Sequence, residues 1–542
     1  MFRRQTPMAS KRPAHPRSRI RQRARPSPFS KYSADRAQGP GISEIDADAL
    51  FLVIAIAHRL GPVAPAQFDR QVQRLRLAAA LFGLGQRALC GGRQILAVGH
   101  GGFPCFALDE VNLGKRQALN KTRTQGQARD GARSGALRLL AAVDDGATLD
   151  EAGALTDRLA PAERARARRL ALEVLRRADR VDLLLAPMLA RRPRPEIMRI
   201  LRLAAVEMLA LGEAPHGAVN AAVALARASG RKGQAAAGMV NAVLRKIAGA
   251  AEAWARLSPQ KMPFWLRAPV VAAWGEDAAR AIEAAHEAGA VLDLTPKGAD
   301  CPGEALPTGS HRLPAGTRVS ALPGYAEGDW WVQDAAAALA VRVLDPQPGE
   351  RVADLCAAPG GKTLQLAAAG AEVTAVDISE LRLARVAENL ARCGLQARLV
   401  AADALDWRPD QPLDAVLLDA PCSATGTIRR HPELPRIRDG AGLAELTGLQ
   451  ARLIDHALDL LKPGGRLIYA TCSLLPAEGE DQLAAVLARH PGLVVEPPRA
   501  PGVEPDWITP QGGLRLRPDL WPERGGMDGF FIARLRKSAE RT

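Results

Sequence analysis

The sequence of 542 residues lacks both a long apolar run and a cysteine framework. Its longest uninterrupted apolar stretch, residues 49–57, is too short to span a bilayer, and no signal-peptide pattern follows the arginine-rich start. The seven cysteines are an odd number without close framework spacing, which argues against a disulfide scaffold. No group of cysteines and histidines has the spacing of metal ligands. We therefore expect a cytoplasmic protein without a membrane or metal partner.

The net charge of +15 is concentrated at the start of the chain. Residues 1–40 contain eleven of the 73 Lys and Arg residues and only one of the 58 Asp and Glu residues. The remaining chain is mildly basic, so the total charge is a poor guide to what the folded domains bind. Because this segment is rich in Arg, Pro and Ser, we expect it to be disordered. A basic RNA-binding arm, a solvated tail, a transit peptide and sequence upstream of the true start codon are its alternative interpretations.

Residues 1–130 carry no recognisable domain pattern. Residues 41–130 have apolar stretches without a persistent period, and a mis-called translation start is favoured over an extra domain. An amphipathic helical stripe lies beyond them and consists of Leu170, Val174, Ala178, Val181 and Leu185. Similar periods, joined by short turns, continue to Ile247. The pattern predicts a compact all-α domain over residues 133–250.

Two further regions follow the helical domain. Residues 260–335 mix Pro, Gly and short apolar runs, which indicates a small α+β region. From Pro346 onwards, strand-like and helix-like segments alternate. Such alternation is typical of a doubly wound parallel sheet. We therefore predict a Rossmann-like α/β domain over residues 336–540.

A turn with two glycines follows the first strand of that domain. It spans residues 354–363 (Asp-Leu-Cys-Ala-Ala-Pro-Gly-Gly-Lys-Thr) and opens a helix. Small residues let the backbone approach a ligand closely, and the amino end of the helix offers N–H groups to an anion. Cys356 stands where a phosphate-binding loop requires its first glycine, and the dinucleotide fingerprint is also absent. Nucleotide hydrolysis is therefore disfavoured.

Three acids close successive strands of the domain. Asp377 ends the second strand, Asp403 the third and Asp419 the fourth. An acid at the end of the second strand can bind ribose hydroxyls. Asp403 and Asp419 could then address the adenine side and the reaction centre. One such acid is commonly a cap, but three in this order favour a binding site.

Two cysteines lie at the ends of predicted neighbouring strands. Cys422 follows Asp-Ala-Pro, and Cys472 follows Tyr-Ala-Thr. Because open α/β sheets build their sites at the carboxyl ends of strands, we expect both thiols on one cleft. A lone free cysteine is more often a small core residue. Two of them at successive strand ends, with these flanking residues, favour catalysis.

These motifs resemble those of the RNA cytosine-C5 methyltransferases. The similarity lies in residues 354–363, 419–432 and 469–473 and in the terminal Met527-Asp528-Gly529-Phe530-Phe531. The helical segment is similar to the NusB-type domain, chiefly in residues 214–223 and 240–245. The two-part arrangement resembles the members of the family that modify 16S ribosomal RNA, and it covers about residues 133–540.

The resemblance implies S-adenosylmethionine as the methyl donor and a covalent mechanism. In such a reaction a thiolate adds to C6 of cytosine, which makes C5 nucleophilic. The resemblance implies Cys472 as the attacking residue, Cys422 as the residue that assists proton removal and release, and Asp419 as a contact to the N3/N4 edge of the base. The implied cofactor site consists of Cys356, Ala357, Ala358, Pro359, Gly360, Gly361, Lys362, Asp377, Asp403 and Asp419.

The predicted function is therefore methyl transfer from S-adenosylmethionine to C5 of a cytosine in 16S ribosomal RNA by a monomer. The same reaction on transfer RNA and a noncatalytic RNA-binding assembly factor are the alternatives. The paired thiols speak against the noncatalytic alternative, since a binding module has no use for both.

Two details concern contacts with RNA. Arg429 and Arg430 could contact phosphate, and His431 is expected to be structural or to face RNA. After the second cysteine motif, the family pattern Pro-Glu-Glu-Asn is replaced by Pro476-Ala477-Glu478-Gly479. This departure leaves both thiols in place.

Overall fold

The computed structural model describes residues 87–90, 93–96, 131–298 and 300–539. The first two segments are the strands β1 (Arg87–Cys90) and β2 (Arg93–Leu96), which pair in antiparallel fashion. The prediction of disorder in residues 1–40 lies outside the described residues. The prediction of a mis-called start also lies outside them, apart from these two strands. In the described part of the chain, no helix combines the length and the apolar character needed to cross a membrane.

The helical domain is built from six α-helices between residues 131 and 256. They are α1 (Ala132–Asp144), α2 (Pro161–Leu185), α3 (Pro195–Leu209), α4 (Pro215–Ala228), α5 (Arg231–Ile247) and α6 (Ala251–Arg256). Proline begins α2, α3 and α4, where its missing N–H has no helical partner to lose. The predicted stripe on α2 is buried, since each of its five residues is at most 2% exposed. The all-α prediction is confirmed.

A small α+β region follows. Its helix α7 (Phe264–Ala288) is kinked at Gly275, whose φ of +85° interrupts the helical path. Four strands then form an antiparallel sheet in the order β4–β5–β3–β6. They are β3 (Leu292–Pro296), β4 (Glu304–Ala305), β5 (His311–Leu313) and β6 (Trp330–Val332).

The α/β domain supplies the remaining elements. Its helices are α8 (Ala335–Leu344), α9 (Gly361–Ala368), α10 (Glu380–Cys393), α11 (Leu434–Ile437), α12 (Leu443–Asp459) and α13 (Glu480–Arg489). Its strands are β7 (Arg351–Leu355), β8 (Glu372–Asp377), β9 (Arg398–Ala401), β10 (Leu413–Asp419), β11 (Leu461–Thr471), β12 (Val494–Glu496), β13 (Leu514–Leu516) and β14 (Phe530–Arg536).

The strands form one mixed sheet in the order β12–β14–β11–β10–β7–β8–β9, with β13 beside β14. The five strands β7 to β11 are parallel, as the alternating pattern predicts. Beyond these alternating segments the sheet gains a strand that the sequence did not indicate, β14, which is antiparallel to β11, β12 and β13. No α-helix separates β13 from β14 along the chain, and parallel neighbours usually need a crossover helix, so β14 pairs with β13 in antiparallel fashion.

The strand order defines where a site can form. The chain runs outward from β7 to β8 and β9 on one side and to β10 and β11 on the other. Ligands in open α/β sheets bind at the carboxyl ends of the strands where the order reverses. That point lies between β7 and β10, beside the residues that the sequence singles out.

The helical domain contacts the α/β domain through the chain that leads from β10 to α11. The Arg176 guanidinium on α2 donates a hydrogen bond to the Arg429 carbonyl at 2.7 Å. Arg436 of α11 pairs with Asp179 of α2 at 2.8 Å. The helical domain is thereby anchored to the segment that immediately follows Cys422.

Candidate active site

The two thiols meet at the carboxyl edge of the sheet. Strands β10 and β11 are parallel neighbours with Asp419 opposite Ala470, and Cys422 and Cys472 follow shortly after these positions. Their sulfur atoms lie 3.4 Å apart, within hydrogen-bonding distance for sulfur. The structure therefore brings both cysteines into one site.

The loops that carry the thiols are tied together through their backbones. The Gly426 N–H donates to the Cys472 carbonyl at 2.9 Å, and the Gly529 N–H donates to the Gly426 carbonyl at 2.8 Å. A Cβ atom on Gly426 would lie 1.9 Å from the Gly529 oxygen, so a larger residue would force the segments apart. The spacing of the sulfurs thus depends on a close approach of backbone segments.

The surroundings of Cys422 favour its neutral thiol form. The hydrogen bond with Cys472, burial and the charge of Cys472 together raise the pKa of the Cys422 thiol well above its usual value. Because the thiolate is the nucleophilic form of cysteine, the raised pKa makes Cys422 a poor nucleophile in this state.

Lys362 and Asp419 form an ion pair in the same site. The Lys362 ammonium donates to the Asp419 carboxylate at 2.7 Å, and its nitrogen lies 5.2 Å from the centre of the Phe530 ring. Burial lowers the pKa of Lys362, but the Asp419 carboxylate together with Asp354 and Cys472 outweighs burial, and the pKa is raised. The positive charge is therefore retained inside the site.

The predicted cofactor loop, residues 356–362, lies between β7 and α9. The Asp377 carboxylate accepts hydrogen bonds from the N–H groups of Ala358 at 3.1 Å and Ser379 at 2.9 Å. Asp377 therefore holds the loop against the end of β8. Cys356 has a φ of +62°, and burial raises the pKa of its thiol to about 12, so it is uncharged.

Most of the predicted site residues line one cavity of about 830 Å³. Its wall includes all of residues 356–362 together with Asp419, Cys422 and Cys472. Asp377 and Asp403 do not line this cavity, and Asp403 accepts a hydrogen bond from the Leu405 N–H at 2.9 Å. Among the residues that the structure describes, no three His, Cys, Asp or Glu side chains are grouped as metal ligands.

Sequence reasoning missed Asp354 as a site residue, although it opens the loop motif. It is fully buried at the end of β7 and lines the same cavity. Its Oδ2 accepts a hydrogen bond from the Thr363 hydroxyl at 2.6 Å, whereas its Oδ1 has no partner among the described residues. Burial, partly offset by this hydrogen bond, raises the pKa of Asp354 to about 7. The sequence feature that could have identified Asp354 is the presence of an acid inside an otherwise apolar strand.

Arg429 and Arg430, both expected to contact phosphate, differ in exposure. Arg429 is fully buried and donates to the Gly525 carbonyl at 2.7 Å and to Asp334 at 3.1 Å. The expectation is therefore wrong for Arg429, whose guanidinium holds the interior together. Arg430 keeps 41% of its side chain exposed, pairs with Asp528 at 2.5 Å and lines the cavity.

The helical domain reaches the same cavity. Thr148 and Asp150, in the turn after α1, are among its lining residues, as is His431. The buried Glu433 accepts a hydrogen bond from the Leu149 N–H at 3.4 Å and lies 3.5 Å from the His431 ring. His431 thus lies next to the buried Glu433 and also lines the cavity, so its position is compatible with a structural role and with facing RNA.

The parallel strands β7 to β11, with a loop site at the carboxyl end of the central strand, define a Rossmann-like α/β fold. Comparisons with known proteins agree with this class. Residues 341–536 match the family model described as 16S rRNA methyltransferase RsmB/F, and residues 130–249 match the NusB family. The α/β domain is therefore similar to the RsmB/F methyltransferase family, and the helical domain is similar to the NusB family.

Curated relatives share the name "Ribosomal RNA small subunit methyltransferase B". The protein of Klebsiella pneumoniae (strain 342) is 46% identical over 231 residues, which are 42% of this chain and 51% of the relative. That of Serratia proteamaculans is 43% identical over 284 residues, 51% of this chain and 60% of the relative. The chain thus spans about half the length of the curated relatives that it matches. The solved structure of PH0851 covers 75% of this chain and 99% of its own, with a TM-score of 0.57 at 24% identity, and shares the fold.

Proposed function

We propose that the chain is an S-adenosylmethionine-dependent methyltransferase that modifies C5 of a cytosine in 16S ribosomal RNA through a bond between Cys472 and C6. The observation that carries the proposal is the 3.4 Å separation of Cys422 and Cys472 in the cavity that holds the Lys362–Asp419 pair. A reaction that forms and then releases a covalent adduct needs a nucleophile and a base. The RsmB/F match and the names of the relatives support the ribosomal substrate.

The residues around the cofactor loop suit S-adenosylmethionine. When bound, this cofactor supplies an electrophilic methyl group. Asp354 offers its unpartnered Oδ1 to the ammonium group, and the amino end of α9 offers N–H groups to the carboxylate. We assign Asp377 to the ribose hydroxyls and Asp403 to the adenine side from their positions after β8 and β9, at the same edge of the sheet as the loop, although neither lines the cavity itself.

The first step is the addition of Cys472 to the base. The electron pair of the thiolate forms the bond to C6, and the C5–C6 π pair moves toward C5 and N3. Asp419 accepts a hydrogen bond from the N3/N4 edge, which orients the ring. The Lys362 ammonium, held 2.7 Å from Asp419, stabilises the negative charge that develops there.

Cys422 acts as the base after methylation. The Cys472 sulfur is the main cause of the raised pKa of Cys422. Once that sulfur is bonded to C6 it no longer carries charge, so the pKa of Cys422 falls at the stage that requires a base. Cys422 first releases the proton of its thiol to water, and it then removes the C5 proton. The C5–H pair restores the C5–C6 double bond, and Cys472 departs as a thiolate.

The position of the helical domain supports a folded RNA as the substrate. Its turn at residues 148–150 lines the cavity, so RNA that enters the site passes beside this domain. A cytosine reaches the thiols only when it is unstacked, in a loop or by flipping. The helical domain is therefore proposed to select the RNA that presents such a base.

A methylation assay tests the proposal. The purified protein is incubated with methyl-labelled S-adenosylmethionine and with either unmethylated 16S ribosomal RNA or bulk transfer RNA. We expect label in the ribosomal RNA, recovered as 5-methylcytidine after digestion. Label in transfer RNA alone would contradict the substrate, and label in neither would favour a noncatalytic assembly factor.

A matched pair of variants accompanies this assay. Cys472→Ala should abolish label, because the nucleophile is removed. Cys301→Ala should leave it unchanged, since Cys301 is a free cysteine of the α+β region that does not line the cavity.

A further inference from the structure

Glu478 is a fully buried carboxylate next to both thiol loops. Its Oε1 accepts hydrogen bonds from the Ser423 N–H at 2.8 Å and from the Gln450 side chain at 3.0 Å. Its Oε2 accepts hydrogen bonds from the hydroxyls of Ser423 at 2.5 Å and Ser473 at 2.6 Å. The carboxylate is thus surrounded by four donors.

Each of these four contacts is one that a carboxylate oxygen can accept. All four partners are uncharged. A buried acidic side chain without a cationic partner among its hydrogen bonds is costly, which indicates that Glu478 serves a specific purpose.

The position of the donors suggests that purpose. Ser423 directly follows Cys422, and Ser473 directly follows Cys472. Glu478 therefore bridges the loop after β10 and the loop after β11 through the residues adjacent to the two thiols. The Glu478 carbonyl also accepts the Thr471 hydroxyl at 3.0 Å, which fixes the end of β11 to the same residue.

The charge of Glu478 acts on the Cys422 sulfur. Together with the Cys472 sulfur and burial, the Glu478 carboxylate raises the pKa of Cys422. A negative charge on this side of the pair favours the neutral thiol at Cys422.

We propose that Glu478 is the positioning residue of the thiol pair: it holds the two loops at their spacing and keeps the shared proton on Cys422, so that Cys472 is the resting nucleophile. The inference deepens the proposed function, because only adduct chemistry requires this division between the thiols. It concerns the state of the thiols in the protein alone and can be tested without RNA.

The test is alkylation of the full chain by iodoacetamide over a range of pH, with each cysteine followed by peptide mass spectrometry. Thiolate is the reactive form, so the rates report where the proton lies. In the wild type, Cys472 should react faster than Cys422 by about tenfold or more near neutral pH, the ratio that corresponds to one pKa unit. In Glu478→Gln, which keeps the size of the side chain but removes its charge, this ratio should fall severalfold.

Glu207→Gln is the matched control. Glu207 is also a buried carboxylate, but it pairs with Arg133 in the helical domain, so the alkylation ratio should stay at the wild-type value. An unchanged ratio in Glu478→Gln, with the protein still folded by circular dichroism, would overturn the assignment of the proton. That result would leave the methylation assay unaffected.

The Ser423→Ala variant tests whether Glu478 sets the spacing of the two thiol loops. This test remains informative even if Glu478→Gln does not fold. It removes one hydroxyl donor from Oε2 and leaves the carboxylate charged. We expect the preference for Cys472 to persist, while kcat for methylation falls and KM for RNA is unchanged. A wild-type kcat in both Ser423→Ala and Ser473→Ala would overturn the positioning role. Absence of methylation in the wild type as well would count against the proposed function, and the alkylation ratios would still decide the role of Glu478.

Discussion

The Lys362 ammonium lies 2.7 Å from the Asp419 carboxylate at the carboxyl end of β10. The lysine side chain is only 10% exposed, and that of the aspartate is 29% exposed. The pair therefore places one acceptor and one cation beside the sulfur atoms without adding net charge to the cavity. In the proposed mechanism, Asp419 orients the base and Lys362 balances the charge that forms on it.

Replacing Lys362 should impair chemistry more than binding. In Lys362→Met, Asp419 keeps its place but loses its cation, so kcat should fall by roughly 10²-fold or more, as for loss of one preorganised electrostatic partner. Lys462→Met is the control, because Lys462 forms an exposed pair with Asp414 away from the thiols. Steady-state methylation rates check both variants, and an equal loss in the two would contradict a specific role for Lys362.

The affinity for S-adenosylmethionine should depend on pH through Asp354. Burial raises the pKa of this carboxyl to about 7, so it becomes neutral as the pH falls through that value. Only the ionised form attracts the ammonium group of the cofactor. Equilibrium dialysis should therefore find weaker binding at about pH 6 than at about pH 8, with a limit of about tenfold per pH unit below the pKa.

Asp354→Asn separates this effect from general pH sensitivity. The amide has no titrating group, so binding should be weaker than in the wild type and nearly constant over the same range. A wild-type affinity that is equal at the two ends of the range would exclude the proposed contact.

Gly426 should tolerate no side chain, because its Cβ would lie 1.9 Å from the Gly529 oxygen. We expect Gly426→Ala to lower the free energy of unfolding by about 2–3 kcal/mol, at the upper end of the usual cost of overpacking. Gly448→Ala is the matched control. Gly448 lies within α12, and no atom beyond its own helix backbone lies within 4 Å of the position that a Cβ would take, so alanine should stabilise the helix by about 1 kcal/mol. Urea unfolding measures both, and equal stabilities of the two variants would be inconsistent with the close approach at Gly426.

The parts of the fold that follow local patterns could be predicted from the sequence. The helical stripe from Leu170 to Leu185 is buried, and β8, β9 and β10 end within two residues of the acids that were expected to close them. Periodicity reports which side of an element is buried, and alternation of strands and helices implies a parallel sheet. The meeting of Cys422 and Cys472 follows from the same rule, since both end neighbouring parallel strands.

Other parts depend on contacts between residues distant in the sequence. Nothing local marks Arg429 as buried, because its burial is decided by what packs against its side chain. Glu478 likewise becomes a bridge only when β10 and β11 bring Ser423 and Ser473 to it. Asp354 was within reach of sequence reasoning, but its unpartnered oxygen is a feature of the folded cavity.

In the proposed mechanism Cys472 forms the bond to the base, and Cys422 removes the C5 proton so that this bond can break. Cys422→Ala should form the adduct but fail to release it, since the base that removes the C5 proton is missing. The double variant Cys422→Ala/Cys472→Ala should form no adduct and is the matched control.

The most direct measurement is a denaturing gel of Cys422→Ala after incubation with 16S ribosomal RNA and S-adenosylmethionine, followed by mass spectrometry of the cross-linked peptide. We predict a stable protein–RNA band whose modified peptide carries the nucleotide on Cys472. Normal turnover of Cys422→Ala without such a band, or a nucleotide attached to another residue, would contradict the proposed division of roles.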